Sequence, residues 1–305
     1  MGDAPAVSII VPTYHRPRVL RLALSSILNQ NFTDYEVWVV GDGCTDDSEA
    51  VTRAFGDSRI NWLNLPKNMG SQAFANNEGI SRARGRYIAH LGHDDLWMPW
   101  HLSRLVPFIE ETGADVVHPL AALIGPEGVR ESVGSSKPNV PKRRLRMPPS
   151  LWLLRRSIVD ATGTWSDPAT ITDAVDSNYW QRMNDAGARI TFLPELSVLK
   201  FPSPWFKEVY RNAEIPVQEK YWELLRSDPA RLREQILLEL AVHNARLTWG
   251  GDDPVLTAFK NAAQILLRRL ADLAGRNHGP AAAVMRWRMR QRTRKTRRIR
   301  GLHDL

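Results

Sequence analysis

Two adjacent carboxylates, Asp94 and Asp95, follow a short apolar run and are well placed to do chemistry. Two neighbouring acids at such a position are costly unless a positive charge lies beside them. A divalent cation such as Mn²⁺ or Mg²⁺ would supply that charge, because these ions are bound by carboxylates together with phosphate oxygens. The pair alone does not establish a metal site, since an Asp that caps the following helix beside a solvated neighbour explains the same sequence.

A second group of polar residues lies at positions 12–17, in the sequence PTYHRP, directly after a β-branched run. The ring of Tyr14 could stack on a base, and the planar guanidinium of Arg16 could pair with a phosphate. Neither a G-x-G-x-x-G turn nor a P-loop follows this run, which argues against NAD or ATP bound in the usual glycine-rich ways. A plain β-turn with Arg16 in solvent is the alternative.

A third candidate is Asp42, which follows the apolar run 36–40. A carboxylate there could accept a hydrogen bond from a ribose hydroxyl or from a base N–H. The alternative is an Asx turn formed with Gly43. Asp42 therefore adds a nucleotide contact only if it lies near the other two groups.

The pattern of apolar residues predicts an α/β fold that would bring these groups together. Strands are expected at 7–12, 36–40, 60–65 and 86–91, with helices at 18–29 and 72–83. Such alternation implies a mostly parallel sheet flanked by helices. Because ligands bind beyond the carboxyl ends of parallel strands, Thr13, Asp42 and Asp94 are expected to converge.

The rest of the chain divides into a continuation of this fold and a helical region. A helix is expected at 99–111, a strand at 115–118, and a loop or hairpin insertion at 125–149. Residues 200–205, KFPSPW, are interpreted as a packed loop or as a lid over a sugar or diphosphate. Only helices are expected afterwards, at 215–225, 229–249 and 258–274. We therefore predict a domain at 1–207, a helical region at 208–285 and a tail at 286–305.

Charge and composition place the basic character of the protein in that tail. Of its 41 Lys and Arg residues, nine lie at 286–305 beside one acid, so the remainder holds 32 basic and 32 acidic residues. We expect the tail to contact an anionic membrane surface peripherally or to be solvated, rather than to bind nucleic acid. A lone cysteine, the absence of a signal sequence and the absence of an 18-residue apolar run predict a cytoplasmic protein without a membrane span.

The order of these motifs resembles that of the family 2 glycosyltransferases, which have the GT-A fold. The resemblance extends from about residue 6 to about residue 182. It is carried by VSIIVPTYHRPRVLRLALSSILNQNF, VWVVGDGCTDDS and NMGSQAFANNEGISRARGRYIAHLGHDD. The resemblance implies an inverting transfer of a sugar from a nucleotide-diphosphate donor, with UDP favoured, to a glycan or lipid-linked acceptor.

The resemblance also implies roles for individual residues. The positions expected to bind the nucleotide sugar are Pro12, Thr13, Tyr14, Arg16, Asp42, Asn77 and Asp94. Asp95, with Asp94, is expected to bind Mn²⁺ or Mg²⁺. The general base of the family lies in an E-D-x-D-like motif, which matches residues 175–178 and places the base at Asp176, with Asp173 as the fallback. N-capping of a helix is the alternative role for both acids.

Two single residues and one turn depart from the family pattern. Gly92 stands where many members have the first acid of L-D-x-D-D, so only the last two acids remain. Asn76 stands where many members have Arg, and Gly41 to Cys44 replace the usual D-D-G-S turn. The first change puts the strength of metal binding in question, and the other two put the base and phosphate preference in question.

We therefore predict an inverting, metal-dependent glycosyltransferase of polysaccharide or glycolipid assembly. Its helical region would shape the acceptor site or an interface between subunits of a homo-oligomer. Two other classes remain as alternatives: a sugar-phosphate nucleotidyltransferase, and a non-catalytic module that binds nucleotide sugar or nucleic acid. Residues 12–17 do not form the Gly-rich, basic loop typical of the first alternative.

Overall fold

The computed structural model describes residues 4–134, 147–206, 210 and 215–249 of the 305-residue chain. Its centre is one twisted sheet that contains nine strands within these residues. One half of the sheet is parallel throughout, in the order β3-β2-β1-β4. These strands are β1 (Val7–Thr13), β2 (Tyr35–Gly41), β3 (Ile60–Asn64) and β4 (Tyr87–His90).

Helices connect the parallel strands, as the alternating pattern predicts. They are α1 (Pro17–Leu28), α2 (Ser48–Arg53) and α3 (Gln72–Arg82). Proline at the start of α1 suits a helix because its missing N–H would have had no partner within the helix. The apolar stripe of α1, which includes Leu20, Leu24 and Ile27, is fully buried in the core. The predicted β-α-β arrangement is therefore confirmed.

The other half of the sheet mixes parallel and antiparallel pairs. Its strands are β5 (Leu96–Trp97), β6 (Val116–Gly125), β7 (Gly128–Val133), β8 (Leu153–Arg155) and β9 (Ile190–Lys200). β8 runs antiparallel between β4 and β6, β9 is parallel to β6, and β5 is antiparallel to β9. The helices of this half are α4 (His101–Thr112), α5 (Arg156–Thr162) and α6 (Val175–Asp185).

The insertion predicted at 125–149 begins as a hairpin. β6 extends seven residues beyond the predicted strand end at 118, and β7 pairs with it in the antiparallel direction. β6 is long because apolar residues continue past Pro119, and most of them are buried. The part of the insertion at 135–146 lies outside the described residues.

Two helices follow the sheet: α7 (Pro216–Ser227) and α8 (Pro229–Trp249). Tyr221, Leu225 and Ile236 from these helices pack in one cluster with Ile124 and Phe201. The division near residue 207 stays a prediction. The helix expected at 258–274 and the basic tail lie outside the described residues.

No helix within the described residues is both long and apolar enough to cross a membrane.

Candidate active site

The carboxyl ends of β1, β2 and β4 lie side by side and carry most of the predicted site. β1 pairs in parallel with β2 on one side and with β4 on the other. Thr13, the last residue of β1, is in register with Gly41 of β2, so Asp42 follows at the same edge. Asp94 and Asp95 follow β4 after a short loop. The structure therefore brings the three predicted segments together.

An ion pair between Arg16 and Asp94 joins two of these segments. The Nη1 atom of Arg16 donates to Oδ2 of Asp94 at 3.0 Å, and the two side chains are only 6% and 12% exposed. The hydroxyl of Ser203 donates to the same carboxylate oxygen at 3.2 Å. The pair fixes the guanidinium at the sheet edge, where the sequence predicts a phosphate.

The end of β1 presents a polar group to the same edge. Thr13 is buried, and its hydroxyl has no hydrogen-bond partner within the part of the chain that the structure describes. Buried hydroxyls are normally paired, so an unpaired one beside a candidate site favours a ligand contact.

The carbonyl of Pro12 lies 3.2 Å from Nδ1 of His93. Because a carbonyl only accepts, His93 carries a proton on Nδ1 in this contact.

A group of aromatic rings lies beside Arg16, and one of them, Tyr210, faces its guanidinium. Tyr14 and His15 stack with centroids 4.2 Å apart, and Tyr210 lies 6.0 Å from Tyr14 and 5.5 Å from the guanidinium carbon. His15 has a φ of 45°, which is uncommon for a residue other than glycine. Its Nε2 accepts from the backbone N–H of Thr45 at 3.2 Å, which helps to hold the turn. These rings could form one wall of a base pocket.

Asp42 holds the loop that follows β3. Its carboxylate accepts from the backbone N–H of Met69 at 2.7 Å and from that of Gly70 at 3.2 Å. Gly43 has a φ of +68°, and a Cβ atom there would lie 2.3 Å from the backbone nitrogen of Asn68. The Asp-Gly pair therefore shapes this loop, and its predicted contact with ribose or base stays a prediction.

Asp95 is fully buried and is surrounded by donors. Its Oδ2 accepts from Ser150 Oγ at 2.5 Å and from Lys200 Nζ at 2.8 Å, and its Oδ1 accepts from the Phe201 N–H at 3.1 Å. Burial raises the pKa of the Asp95 carboxyl, and the Lys200 ammonium opposes that shift. The Lys200 ammonium and the Ser150 hydroxyl both favour the ionised carboxylate, so the contact with Lys200 is an ion pair.

Lys200 brings a positive charge to the same place from the end of β9. Burial by itself would lower the pKa of its ammonium, but the pKa is raised, because the nearby Asp95, Asp94 and Asp176 carboxylates favour the charged form. The side chain is 23% exposed, whereas that of Asp95 is fully buried. The Lys200 side chain therefore lies at the boundary between the core and the solvent-facing edge, with its ammonium against the buried acid.

The two candidate bases differ in position. Asp176 lies in the first turn of α6, and its carboxylate accepts from the N–H of Ser177 at 2.8 Å. It is close enough to Lys200 to contribute to the raised pKa of that residue. Asp173 is exposed in the turn before α6. Of the two acids, Asp176 is the one that the structure links electrostatically to the sheet edge.

The side-chain amide of Asn77 bonds to the backbone of Trp165. Its Nδ2 donates to the Trp165 carbonyl at 3.0 Å, and its Oδ1 accepts from the Trp165 N–H at 2.7 Å. Trp165 is buried and stacks on Tyr179 of α6, with centroids 4.6 Å apart. Asn77 thus ties α3 to the segment before α6, and its predicted contact with the nucleotide sugar stays a prediction.

The acids do not, in this arrangement, fit a divalent cation. Both oxygens of Asp95 already accept hydrogen bonds, and Asp94 is paired with Arg16. A metal ion at Asp95 Oδ2 would have to displace the Lys200 ammonium. In the part of the chain that is described, no three His, Cys, Asp or Glu residues are grouped as metal ligands.

Sequence reasoning missed several residues of this cluster. The sequence pattern places Lys200 only in a lid or packed loop, and it singles out neither Ser150 nor Tyr210. The register of β5 and β9 explains how Lys200 reaches the site. Leu96 pairs with Leu199, so the next residues, Asp95 and Lys200, lie opposite each other. These strands are about 100 residues apart in the chain, so no local pattern reveals that pairing.

Comparison with protein families and with known proteins finds similarity to glycosyltransferases. The model of the family described as "Glycosyl transferase family 2" matches residues 8–160. The putative teichuronic acid biosynthesis glycosyltransferase TuaG of Bacillus subtilis (strain 168) is 33% identical over 109 residues, which are 35% of this chain and 43% of TuaG. The Escherichia coli enzyme WfgD is 36% identical over 96 residues, which are 32% of this chain and 38% of WfgD. WfgD is described as a UDP-Glc:alpha-D-GlcNAc-diphosphoundecaprenol beta-1,3-glucosyltransferase. The chain thus spans less than half the length of either relative.

Solved structures show the same fold. S. aureus TarS 1-349 in complex with UDP-GlcNAc has a TM-score of 0.58 and 20% identity, over 80% of this chain and 73% of TarS 1-349. The mannosyltransferase PcManGT from Pyrobaculum calidifontis, in complex with GDP-Man and Mn²⁺, has a TM-score of 0.52 and 16% identity, over 97% of this chain and 86% of PcManGT. At these identities the likeness supports the fold alone.

Proposed function

Because this chain belongs to glycosyl transferase family 2, we propose that it is an inverting transferase that moves a sugar from a UDP-sugar to an acceptor hydroxyl. The observation that carries the proposal is the meeting of Arg16 and Lys200 with the Asp94 and Asp95 carboxylates at one edge of the sheet, with Asp176 of α6 near enough to favour the charged form of Lys200. Two fixed cations suit the diphosphate of a nucleotide sugar, and a third carboxylate not paired with them suits proton removal.

The donor would lie across the ends of β1, β2 and β4. In this pose Tyr14 stacks on the base, Arg16 pairs with the diphosphate, and the Thr13 hydroxyl gains the partner that it lacks among the described residues. UDP is favoured because WfgD is described as using UDP-Glc and TarS was solved with UDP-GlcNAc. Asp42, Asp94 and Asn77 remain candidate contacts of the donor or of the loops around it.

Transfer would proceed by a single displacement at the anomeric carbon. The acceptor oxygen attacks that carbon, the bond to the diphosphate oxygen breaks, and its electron pair leaves with UDP. Asp176 takes the proton of the acceptor hydroxyl, as a general base positioned on the attacking side. Arg16 stabilises the negative charge that develops on the leaving group. Inversion follows because attack and departure occur on opposite faces.

The family resemblance implies Mn²⁺ or Mg²⁺ at Asp95, assisted by Asp94, but the two acids as arranged here do not fit a divalent cation, and the proposed transfer includes none. PcManGT was solved with Mn²⁺, and a metal in such a site neutralises a leaving diphosphate. In this chain Asp94 is paired with Arg16 and Asp95 with Lys200.

The acceptor is proposed to be a glycan or a lipid-linked glycan. WfgD is described as acting on a diphosphoundecaprenol-linked sugar, and TuaG as belonging to teichuronic acid biosynthesis. A lipid-linked acceptor would bring the protein to the inner face of the membrane, where the basic segment 286–305 could add peripheral contact.

Thermal unfolding in the presence of nucleotide sugars tests the proposal. The panel contains UDP-, GDP- and dTDP-sugars, each with and without Mn²⁺. We expect a UDP-sugar at 100 times its Kd to raise Tm by about 5 °C, because a ligand that binds only the folded state stabilises it. If no nucleotide sugar raised Tm in either condition, the proposal would be wrong.

A further inference from the structure

We propose, resting on the proposed function, that Lys200 is a resident cation that takes the place of the divalent metal, so that this transferase binds the donor diphosphate without a metal ion. The chain would neutralise the leaving diphosphate with two side chains, Lys200 and Arg16. This departs from the metal dependence that the family resemblance implies.

The first support is the strand pairing that fixes Lys200 against Asp95. Leu96 of β5 pairs with Leu199 of β9 in an antiparallel register, and Trp97 pairs with Val198. The next positions outward are Asp95 and Lys200, and their charged atoms lie 2.8 Å apart. The sheet therefore fixes the backbone of Lys200 beside Asp95, and the ion pair holds its side chain there.

The second support is that both oxygens of the Asp95 carboxylate already accept hydrogen bonds. Ser150, Lys200 and the Phe201 N–H all donate to it. The Ser150 hydroxyl accepts from the Gly92 N–H at 3.1 Å, so its own proton is left for Asp95. A divalent cation on Oδ2 would lie beside an ammonium that binds the same oxygen, and the two like charges would repel.

The third support is the missing acid at position 92. A Cβ atom on Gly92 would lie 3.0 Å from Asp95 Oδ2 and 3.3 Å from Asp94 Oδ1. An acidic side chain there would place a third negative charge against the pair and would favour a multivalent cation between them. With glycine, the two acids face two cations, Arg16 and Lys200, and each acid has its own partner.

Lysine is chemically suited to binding and neutralising a diphosphate. An ammonium has three donor hydrogens, and the contact with Asp95 uses one of them. The Lys200 side chain is 23% exposed, so it borders the sheet edge where we propose the diphosphate binds, while its ammonium remains paired with the buried acid. Lysine is also a common phosphate binder elsewhere, where it acts as a point charge.

Isothermal titration of UDP in EDTA and in Mn²⁺ tests the inference. For the wild-type protein we expect the two Kd values to agree within about threefold, because the protein supplies the cations itself. Lys200→Met should weaken UDP binding in EDTA by about tenfold or more, the loss of one charged hydrogen bond to a phosphate. The exposed Lys220→Met on α7 is the matched control and should change Kd by less than about twofold.

A second variant guards against misfolding, since Lys200→Met leaves a buried acid without its cation. The double variant Lys200→Met/Asp95→Asn removes both charges at similar volume and should show the same loss of UDP affinity in EDTA. UDP binding to the wild type only in Mn²⁺, or undiminished binding by the double variant in EDTA, would overturn the inference and leave the proposed function standing. No UDP binding in either condition would overturn both.

Discussion

The guanidinium of Arg16 lies 3.0 Å from the carboxylate of Asp94, although 78 residues separate them in the chain. Arg16 precedes α1, and Asp94 follows β4, which is the parallel neighbour of β1. The pairing holds the guanidinium at the sheet edge before a ligand arrives. A cation that is already positioned loses less freedom on binding a diphosphate than one that moves freely in solvent.

Replacing Arg16 by Met should weaken UDP binding by about 10- to 100-fold, the value of a charged hydrogen bond to phosphate. The matched control is Arg18→Met, two residues further along, where the side chain is 45% exposed and pairs with Glu219 on α7. The control should keep the wild-type Kd for UDP. Calorimetric titration of both variants measures the difference, and equal losses would mean that Arg16 has no special role.

Replacing Asp176 by Asn should leave UDP binding unchanged and reduce the rate of sugar transfer by about 100-fold or more, the usual contribution of a general base. The amide keeps an oxygen that can accept from the N–H of Ser177. Asp173→Asn, in the exposed turn before the same helix, is the control and should stay fully active. Loss of transfer in Asp173→Asn alone would move the base to that residue.

Replacing Asn77 by Ala should lower the free energy of unfolding by about 2–4 kcal/mol, because two backbone groups of Trp165 lose their hydrogen bonds. Asn31→Ala, at an exposed position after α1, should change it by less than about 0.5 kcal/mol. Urea denaturation of the two variants gives both values. A normal stability together with weaker UDP binding would instead support Asn77 as a direct donor contact.

Stability should fall in mild acid because of two buried histidines. Burial lowers the pKa of both His90 and His101 to about 3, from an ordinary value of 6.5. The unfolded chain therefore takes up protons first, and the contribution is complete above pH 6.5 and declines as the pH falls towards 3. Each histidine should therefore lower the free energy of unfolding by about 2 kcal/mol at pH 5, compared with neutral pH.

The variant His90→Phe isolates one of these two contributions. Neither ring nitrogen of His90 has a hydrogen-bond partner within the described residues, and the ring packs against Trp152 and Trp165. Denaturation measures the drop in the free energy of unfolding between pH 7 and pH 5. This drop should be smaller in His90→Phe than in the wild type by about 2 kcal/mol. An unchanged loss would mean that His90 does not drive the acid sensitivity.

Local sequence patterns predicted the parallel half of the sheet well. The run at 7–12 became β1 (Val7–Thr13), and the helix expected at 72–83 became α3 (Gln72–Arg82). These elements can be predicted from local sequence alone, because β-branched runs, helical spacing and turn residues at their ends indicate them. The meeting of Thr13, Asp42 and Asp94 followed because parallel strands align their carboxyl ends.

Contacts between distant parts of the chain could not be predicted in this way. Lys200 reaches Asp95 through the pairing of β9 with the two-residue strand β5, and a two-residue strand has no sequence period. Tyr210 lies beyond the end of the sheet, and its approach to Arg16 depends on the path of the chain between β9 and α7. Tertiary packing determines which groups donate hydrogen bonds to the Asp95 carboxylate, and a local sequence pattern does not reveal them.

The anomer first released from a UDP-α-sugar, followed by ¹H NMR, tests inverting transfer most directly. Water serves as the acceptor, so the natural acceptor need not be known, and the UDP-sugar that most raises Tm is the substrate. Single displacement predicts that the β-anomer appears first, in step with UDP, and that Asp176→Asn releases neither above background. Initial release of the α-anomer, or equal UDP release by Asp176→Asn, would contradict the proposed mechanism.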